Sequence, residues 1–182
     1  MPKTWILKTP IKEKDLEKLK IGDKILLSGV IFTARDAAHK LLKKQIEEGK
    51  KPPFNLKGSV IYYAGPTPAR PGLPIGSIGP TTSYRMDRYA PFFYSLGVSA
   101  TIGKGSRSEE VILALKKYKA VYLSTIGGIA ALLARHVKKA EIIAFPELGT
   151  EAIRKLFIED FPCFVANDIY GNDIYKKMQR FS

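Results

Sequence analysis

The 182-residue chain contains one cysteine, Cys163. A lone cysteine excludes an internal disulfide. It also excludes a cysteine-ligated cluster or zinc site built by this chain alone. Cys163 lies in Phe161-Pro-Cys-Phe-Val-Ala166. That segment reads as a buried strand, and a packed thiol is the plain reading there. Long apolar runs are also missing, and none could cross a bilayer. The first ten residues, Met1 to Pro10, alternate like a strand and lack the apolar stretch and small-residue cleavage site of a secretory signal. A cytoplasmic location is the expectation. Acidic residues are scarce: 17 Asp+Glu against 30 Lys+Arg leave a net charge of +13. Such an excess points to an anionic partner, whether nucleic acid, an acidic protein or an anionic metabolite. Much of it is lysine on predicted helix faces, including Lys40, Lys43, Lys44, Lys116, Lys117, Lys138 and Lys139, where a solvated surface is the simpler account.

What is present is the pattern of a single domain over residues 1–182, long enough to bury a sizeable core. Turn residues and periodicity predict strands at Lys24–Val30, Gly58–Ala64, Val98–Ile102, Ala120–Ser124, Glu141–Phe145 and Cys163–Ala166. Helices are predicted over Thr33–Glu48, Ser83–Leu96, Glu109–Tyr118, Gly127–Val137 and Gly149–Leu156. Strands and helices alternate, which argues for an α/β fold. A Gly/Pro-rich loop runs from Gly65 to Pro80. A loop of that length, leading straight into a helix, reads as functional.

Three strand–turn–helix junctions carry the chemistry. In the first, Thr33 and Asp36 fit a Thr-x-x-Asp cap, with Arg35 in the first helical turn. In the second, Thr81, Thr82 and Ser83 crowd a helix start, and Arg85 follows. In the third, Ser106 and Glu109 fit a capping box, with Lys104 in the turn Gly103-Lys-Gly105 just before it. A cation is unfavourable near a helix N-terminus, whereas an anion is welcome. Free N–H groups, hydroxyls and a cation together are the composition of a carboxylate or phosphate site. A small dianion would be held by Arg35 at one end and by Arg85 with Lys104 at the other. The simpler alternative leaves each cap ordinary and each arginine in solvent. His39, inside the first helix, reads as an orienting or surface residue. Gly103-Lys-Gly105 is not a Walker phosphate loop.

Several segments resemble the β subunit, or C-terminal domain, of class I fumarate hydratases and L-tartrate dehydratases. They include Thr33-Ala-Arg-Asp-Ala-Ala-His-Lys40, Tyr63-Ala-Gly-Pro66, Gly79-Pro-Thr-Thr-Ser-Tyr-Arg-Met-Asp87 and Ile102-Gly-Lys-Gly105. Gly127-Gly-Ile-Ala-Ala-Leu-Leu133, Leu148-Gly-Thr-Glu-Ala-Ile153 and Asn167-Asp-Ile-Tyr-Gly-Asn-Asp-Ile-Tyr175 extend the likeness over nearly the whole chain. The resemblance implies a swivelling β/β/α domain. It implies a partner α subunit whose cysteines hold a [4Fe-4S] cluster, with no metal bound by this chain. It implies that Arg35, Thr82, Arg85 and Lys104 contact substrate carboxylates and that Thr81 and Lys104 are catalytic. The expected function is the β half of a hydro-lyase that hydrates fumarate to L-malate and is inert alone. Tartrate dehydration is the near alternative; a basic nucleic-acid-binding module and a non-catalytic binder of acidic metabolites are the alternatives of other classes.

Overall fold

The computed structural model describes residues 1–179. In chain order its elements are β1 (Thr4–Lys8), α1 (Glu13–Leu16), β2 (Lys24–Thr33), α2 (Asp36–Glu47), β3 (Val60–Tyr62), α3 (Ala90–Ser95) and β4 (Ala100–Gly103). There follow α4 (Glu109–Tyr118), β5 (Val121–Ser124), α5 (Ala130–Ala134), β6 (Val137–Ala144), β7 (Ile153–Asn167) and α6 (Ile174–Gln179). Two 3-10 turns, Ser83–Met86 and Pro146–Glu151, complete the set.

The sheet runs β1-β2-β3-β4-β5-β7-β6, and β7 also pairs with β2. Five strands, β2, β3, β4, β5 and β7, therefore close into a barrel. From β1 to β5 every pairing is parallel, while β7 runs antiparallel to β2, β5 and β6. Alternation with a period of two sorts the side chains. Val60, Tyr62, Ala100, Ile102, Val121 and Leu123 belong to one core cluster with Leu156, Phe161 and Cys163. Their neighbours Ile61, Tyr63 and Tyr122 belong to a second cluster, with Ala38 and Leu42 of α2, Phe93 and Tyr94 of α3, and Val111 and Leu115 of α4. One cluster fills the barrel and the other joins it to the helices. Each fully buried Leu, Ile or Phe contributes about 1.5–3 kcal/mol relative to exposure. Among the described residues no helix is long and apolar enough to cross a membrane.

Four sequence expectations change. The helix expected over Ser83–Leu96 is broken into a 3-10 turn and α3. Pro91, which lacks an N–H, sits in the first turn of α3, where the missing donor does no harm. Asp87, between the two pieces, is drawn into a tertiary ion pair described below. The helix expected at Gly149–Leu156 is instead the end of the second 3-10 turn and the start of β7. Pairing of Ile153–Phe157 with β2 and β6 overrides local helix preference. The helix expected over Gly127–Val137 contracts to α5, and Val137 opens β6, four residues before the strand expected at Glu141–Phe145. The caps also differ. Thr33 closes β2 instead of capping α2, and the residue at the N-cap is Arg35. Ser108, not Ser106, caps α4, accepting from the Val111 amide at 3.4 Å.

Candidate functional site

The sequence-predicted residues meet at the C-terminal edge of the parallel strands. Arg35 follows β2; Thr81 and Thr82 lie beside the end of β3; Lys104 follows β4. Backbone hydrogen bonds stitch these segments together. The Thr81 amide donates to Tyr63 O at 2.7 Å, and the Lys104 amide to Thr81 O at 3.3 Å. The Ser83 amide donates back to Lys104 O at 2.9 Å, and the Thr125 amide, just past β5, to Gly103 O at 2.9 Å. In open α/β sheets this edge is where ligands bind, at the turns that lead away from the strands.

Close approach explains two glycines. A Cβ on Gly103 would stand 1.9 Å from Ser83 Oγ and 3.1 Å from Tyr63 Cδ2. A Cβ on Gly65 would stand 2.7 Å from Arg35 Nη1 and 3.0 Å from Arg35 Cδ. The arginine side chain is thus laid along the backbone where β3 ends. Its Nε is buried and has no hydrogen-bond partner among the described residues. A buried, unsatisfied guanidinium donor is costly unless a ligand meets it, and a carboxylate is the matching acceptor.

Arg85 is placed differently from expectation. Its Nη2 donates to Asp36 Oδ2 at 2.7 Å and its Nε to Asp36 Oδ1 at 3.2 Å. Asp36, read from sequence as part of a helix cap, instead orients this arginine. The pair ties the 3-10 turn to the first turn of α2, at the residue that follows Arg35. Arg85 remains half exposed, with donors free to reach outward. The side chains of Arg35, Thr81, Thr82 and Lys104 have no hydrogen-bond or ion-pair partner among the described residues, whereas the backbone around them is well satisfied. The Lys104 stem lies over Gly127, whose Cβ would be 3.5 Å from Lys104 Cδ.

Beneath the edge lies a polar network the sequence reading missed. Arg107 is buried and donates through Nε to Asp87 Oδ1 at 2.7 Å. Its other nitrogens reach Thr101 Oγ1 at 3.3 Å, Tyr94 Oη at 3.4 Å and Tyr63 Oη at 3.4 Å. Asp87 Oδ2 accepts from the Ser108 amide at 2.6 Å. His39 is also buried. Its Nδ1 lies 2.7 Å from Arg35 O, a carbonyl that can only accept, so Nδ1 carries the proton. Burial among Tyr63, Tyr89 and Phe93 lowers its pKa from 6.5 to about 4, against the opposing pull of that hydrogen bond and of Asp36. His39 is neutral at pH 7 and fixes the backbone of Arg35, the orienting role the sequence suggested.

A cavity of about 920 Å³ lies elsewhere: Lys3, Lys20, Asp23 and Asp168 line it at the opposite end of the barrel. Its carboxylates are occupied by the protein, Asp23 by the Lys3 and Lys20 amides and the Trp5 indole, Asp168 by the Tyr170 and Asn172 amides. A smaller cavity of about 500 Å³, lined by Asp36, Tyr84, Arg85, Asp87, Arg88 and Ser108 among others, adjoins the strand-edge site.

The family model described as the fumarase C-terminus matches residues 3–178. The chain belongs to this family. Its fumarase-type relatives include fumarate hydratase 2 of Leishmania major, 45% identical over 94% of this chain and 31% of that protein. The anaerobic class I fumarate hydratase of Escherichia coli is 43% identical over 94% of this chain and 32% of that protein. The chain thus spans about a third of the length of these relatives. A third relative, the putative L(+)-tartrate dehydratase subunit beta of Methanocaldococcus jannaschii, is 41% identical over 93% of this chain and 90% of that protein.

The donor set of the chain does not fit an iron–sulfur cluster. Cys163 points into the barrel core, fully buried, and burial pushes its thiol pKa well up, away from the thiolate that metal binding needs. Among the described residues no group of three His, Cys, Asp or Glu could hold a metal ion.

Proposed function

We propose that this chain is the dicarboxylate-clamping component of a hydro-lyase, which with a partner polypeptide reversibly adds water to fumarate to give L-malate. The observation that carries the reading is the gathering of Arg35, Arg85 and Lys104 on one strand edge with Thr81 and Thr82, with the Arg35 Nε buried and unsatisfied. Arg35 and Arg85 bind one substrate carboxylate each or share both, and Lys104 adds a point charge. Fixing two carboxylates converts binding energy into orientation of the double bond. Thr81 lies on the same edge as a hydroxyl for proton transfer, and Lys104 beside it supplies the charge that would activate it. A [4Fe-4S] cluster, with its Lewis acidity, is assigned to the partner, because the residues of this chain do not fit one. The cytoplasm is the proposed compartment.

Tartrate is the second reading. It is favoured by the relative that this chain matches over 90% of its length, which is named as a tartrate dehydratase subunit. A nucleic-acid role has less support, since lysines of α2 pair with glutamates one turn on, Lys43 with Glu47 at 3.7 Å and Lys44 with Glu48 at 3.9 Å.

The test is reconstitution. The chain is purified alone and with a cluster-loaded partner, and turnover of fumarate, malate and tartrate is measured. Activity only in the pair, on fumarate and malate, supports the reading. Activity confined to tartrate moves it to the second, and hydration of fumarate by the isolated, metal-free chain would sink it.

A further inference from the structure

We infer that Tyr122 is a positioning residue of this site: its one hydroxyl latches together the two segments that present Thr81, Thr82 and Lys104. The inference rests on the proposed dicarboxylate reading for its functional consequence and on geometry alone for the latch.

Tyr122 is the outward-facing residue of β5, buried between barrel and helices. Its Oη lies 2.8 Å from Gly105 O and 2.9 Å from Ser83 Oγ. The carbonyl can only accept, so the single phenolic proton goes to Gly105. Ser83 Oγ must then donate its own proton to the phenol oxygen. One side chain therefore grips the residue after Thr82 and the residue after Lys104 at once. The bonds are directional, and neither can be satisfied by rotating the other partner away.

Three further features preload the latch. Arg107 sits 4.7 Å from the Tyr122 ring centroid, a cation over an aromatic face. Asp87 holds Arg107 and also takes the Ser108 amide, pinning the far end of the Gly103–Ser108 turn. Gly103 leaves no space between Ser83 Oγ and the strand, so Ser83 has one place to be. The Lys104 side chain remains free while its backbone is held from both sides. Among the described residues Tyr122 is the side chain that bonds both Ser83 and Gly105; the Tyr94 hydroxyl, 2.6 Å from Thr101 Oγ1 and 3.4 Å from Arg107 Nη1, bonds neither.

The experiment compares Tyr122→Phe and Ser83→Ala with Tyr94→Phe, an equally buried phenol that bonds neither Ser83 nor Gly105. Amide hydrogen exchange of the full chain is read at Ser83 and Lys104, and steady-state kinetics are read in the reconstituted pair. Tyr122→Phe should lower protection at both amides by about tenfold and cut kcat/KM by about tenfold, the size of one lost hydrogen bond. Ser83→Ala should do the same to a smaller degree, and it carries the test if Tyr122→Phe does not fold. Tyr94→Phe should lower Tm while leaving kcat/KM within about twofold. Unchanged protection at both amides in Tyr122→Phe and Ser83→Ala overturns the latch. Lost protection with unchanged kcat/KM overturns the positioning role. If the wild-type pair turns over none of the dicarboxylates, the functional reading fails on its own, and the exchange data still decide the latch.

Discussion

Arg85 and Asp36 face each other in a two-point ion pair, Nη2 to Oδ2 at 2.7 Å and Nε to Oδ1 at 3.2 Å. The carboxylate belongs to the first turn of α2 and the guanidinium to a separate turn 49 residues on, so the pair anchors the turn that carries Arg85 to the residue that follows Arg35. Such a pair on a partly exposed edge adds little to stability; its effect is on direction. Arg85→Ala should therefore lower turnover by the reconstituted pair on the order of 100-fold, the loss expected for a charge-assisted contact to a reacting ligand. Asp36→Asn should lower it less, because the guanidinium remains but is no longer aimed. Steady-state kinetics with gel filtration of the complex checks both, and near-normal turnover by Arg85→Ala would favour a non-catalytic binding domain.

His39 makes stability pH-dependent in a defined window. Its pKa is about 4 in the fold against 6.5 as a free side chain, so the unfolded chain binds the extra proton between those values. Stability should be fully present above pH 6.5 and fall as pH drops toward 4, by roughly 3 kcal/mol for this group. His39→Asn, which keeps a donor for the Arg35 carbonyl, should flatten that slope. Urea denaturation at a series of pH values measures it, and an unchanged slope would remove His39 as its source.

Gly103→Ala should destabilise the fold by about 1–3 kcal/mol, the usual range for forcing a methyl into packed space. The added carbon would meet Ser83 Oγ first. Combining it with Ser83→Ala should recover part of the loss, giving a non-additive double-mutant cycle. Thermal or urea unfolding of the four proteins decides it; strict additivity would place the strain elsewhere, at Tyr63.

Cys163 should resist thiol reagents in the native fold and react only as fast as the chain opens. It is fully buried with a raised pKa. A reaction rate that follows denaturant as global unfolding does would agree; fast labelling in buffer would contradict the packed-core assignment.

Much of this structure is legible in the sequence where a local signal and the fold agree. β5 and α4 appear where alternation and periodicity place them, and the Gly103-Lys-Gly105 turn marks the end of β4. The candidate residues Arg35, Thr81, Thr82, Arg85 and Lys104 stand out because cations and hydroxyls cluster at strand ends. What could not be read was tertiary. β7 runs 15 residues because it has partners on both flanks, and nothing local to Ile153–Glu159 announces them. Asp36 looks like a helix cap until Arg85, far along the chain, claims it. Tyr122 and Arg107 read as an ordinary strand aromatic and an ordinary basic residue, since their meaning lies in what they touch. Ser106 with Glu109 reads as the cap of α4, yet Ser108 is the serine that accepts from the helix, and only the fold shows which.

Because β7 bonds to β2 on one side and to β5 on the other, the backbone hydrogen bonds around the barrel form a circuit without a free end. Arg35 and Lys104 hang from different points of that circuit. Neither can shift relative to the other unless ladder bonds break along it. A ligand arriving here meets charges whose separation was settled when the chain folded, so its affinity is not reduced by ordering the backbone beneath it. Closure over such a ligand would then come from outside the barrel, with the distances inside it unchanged.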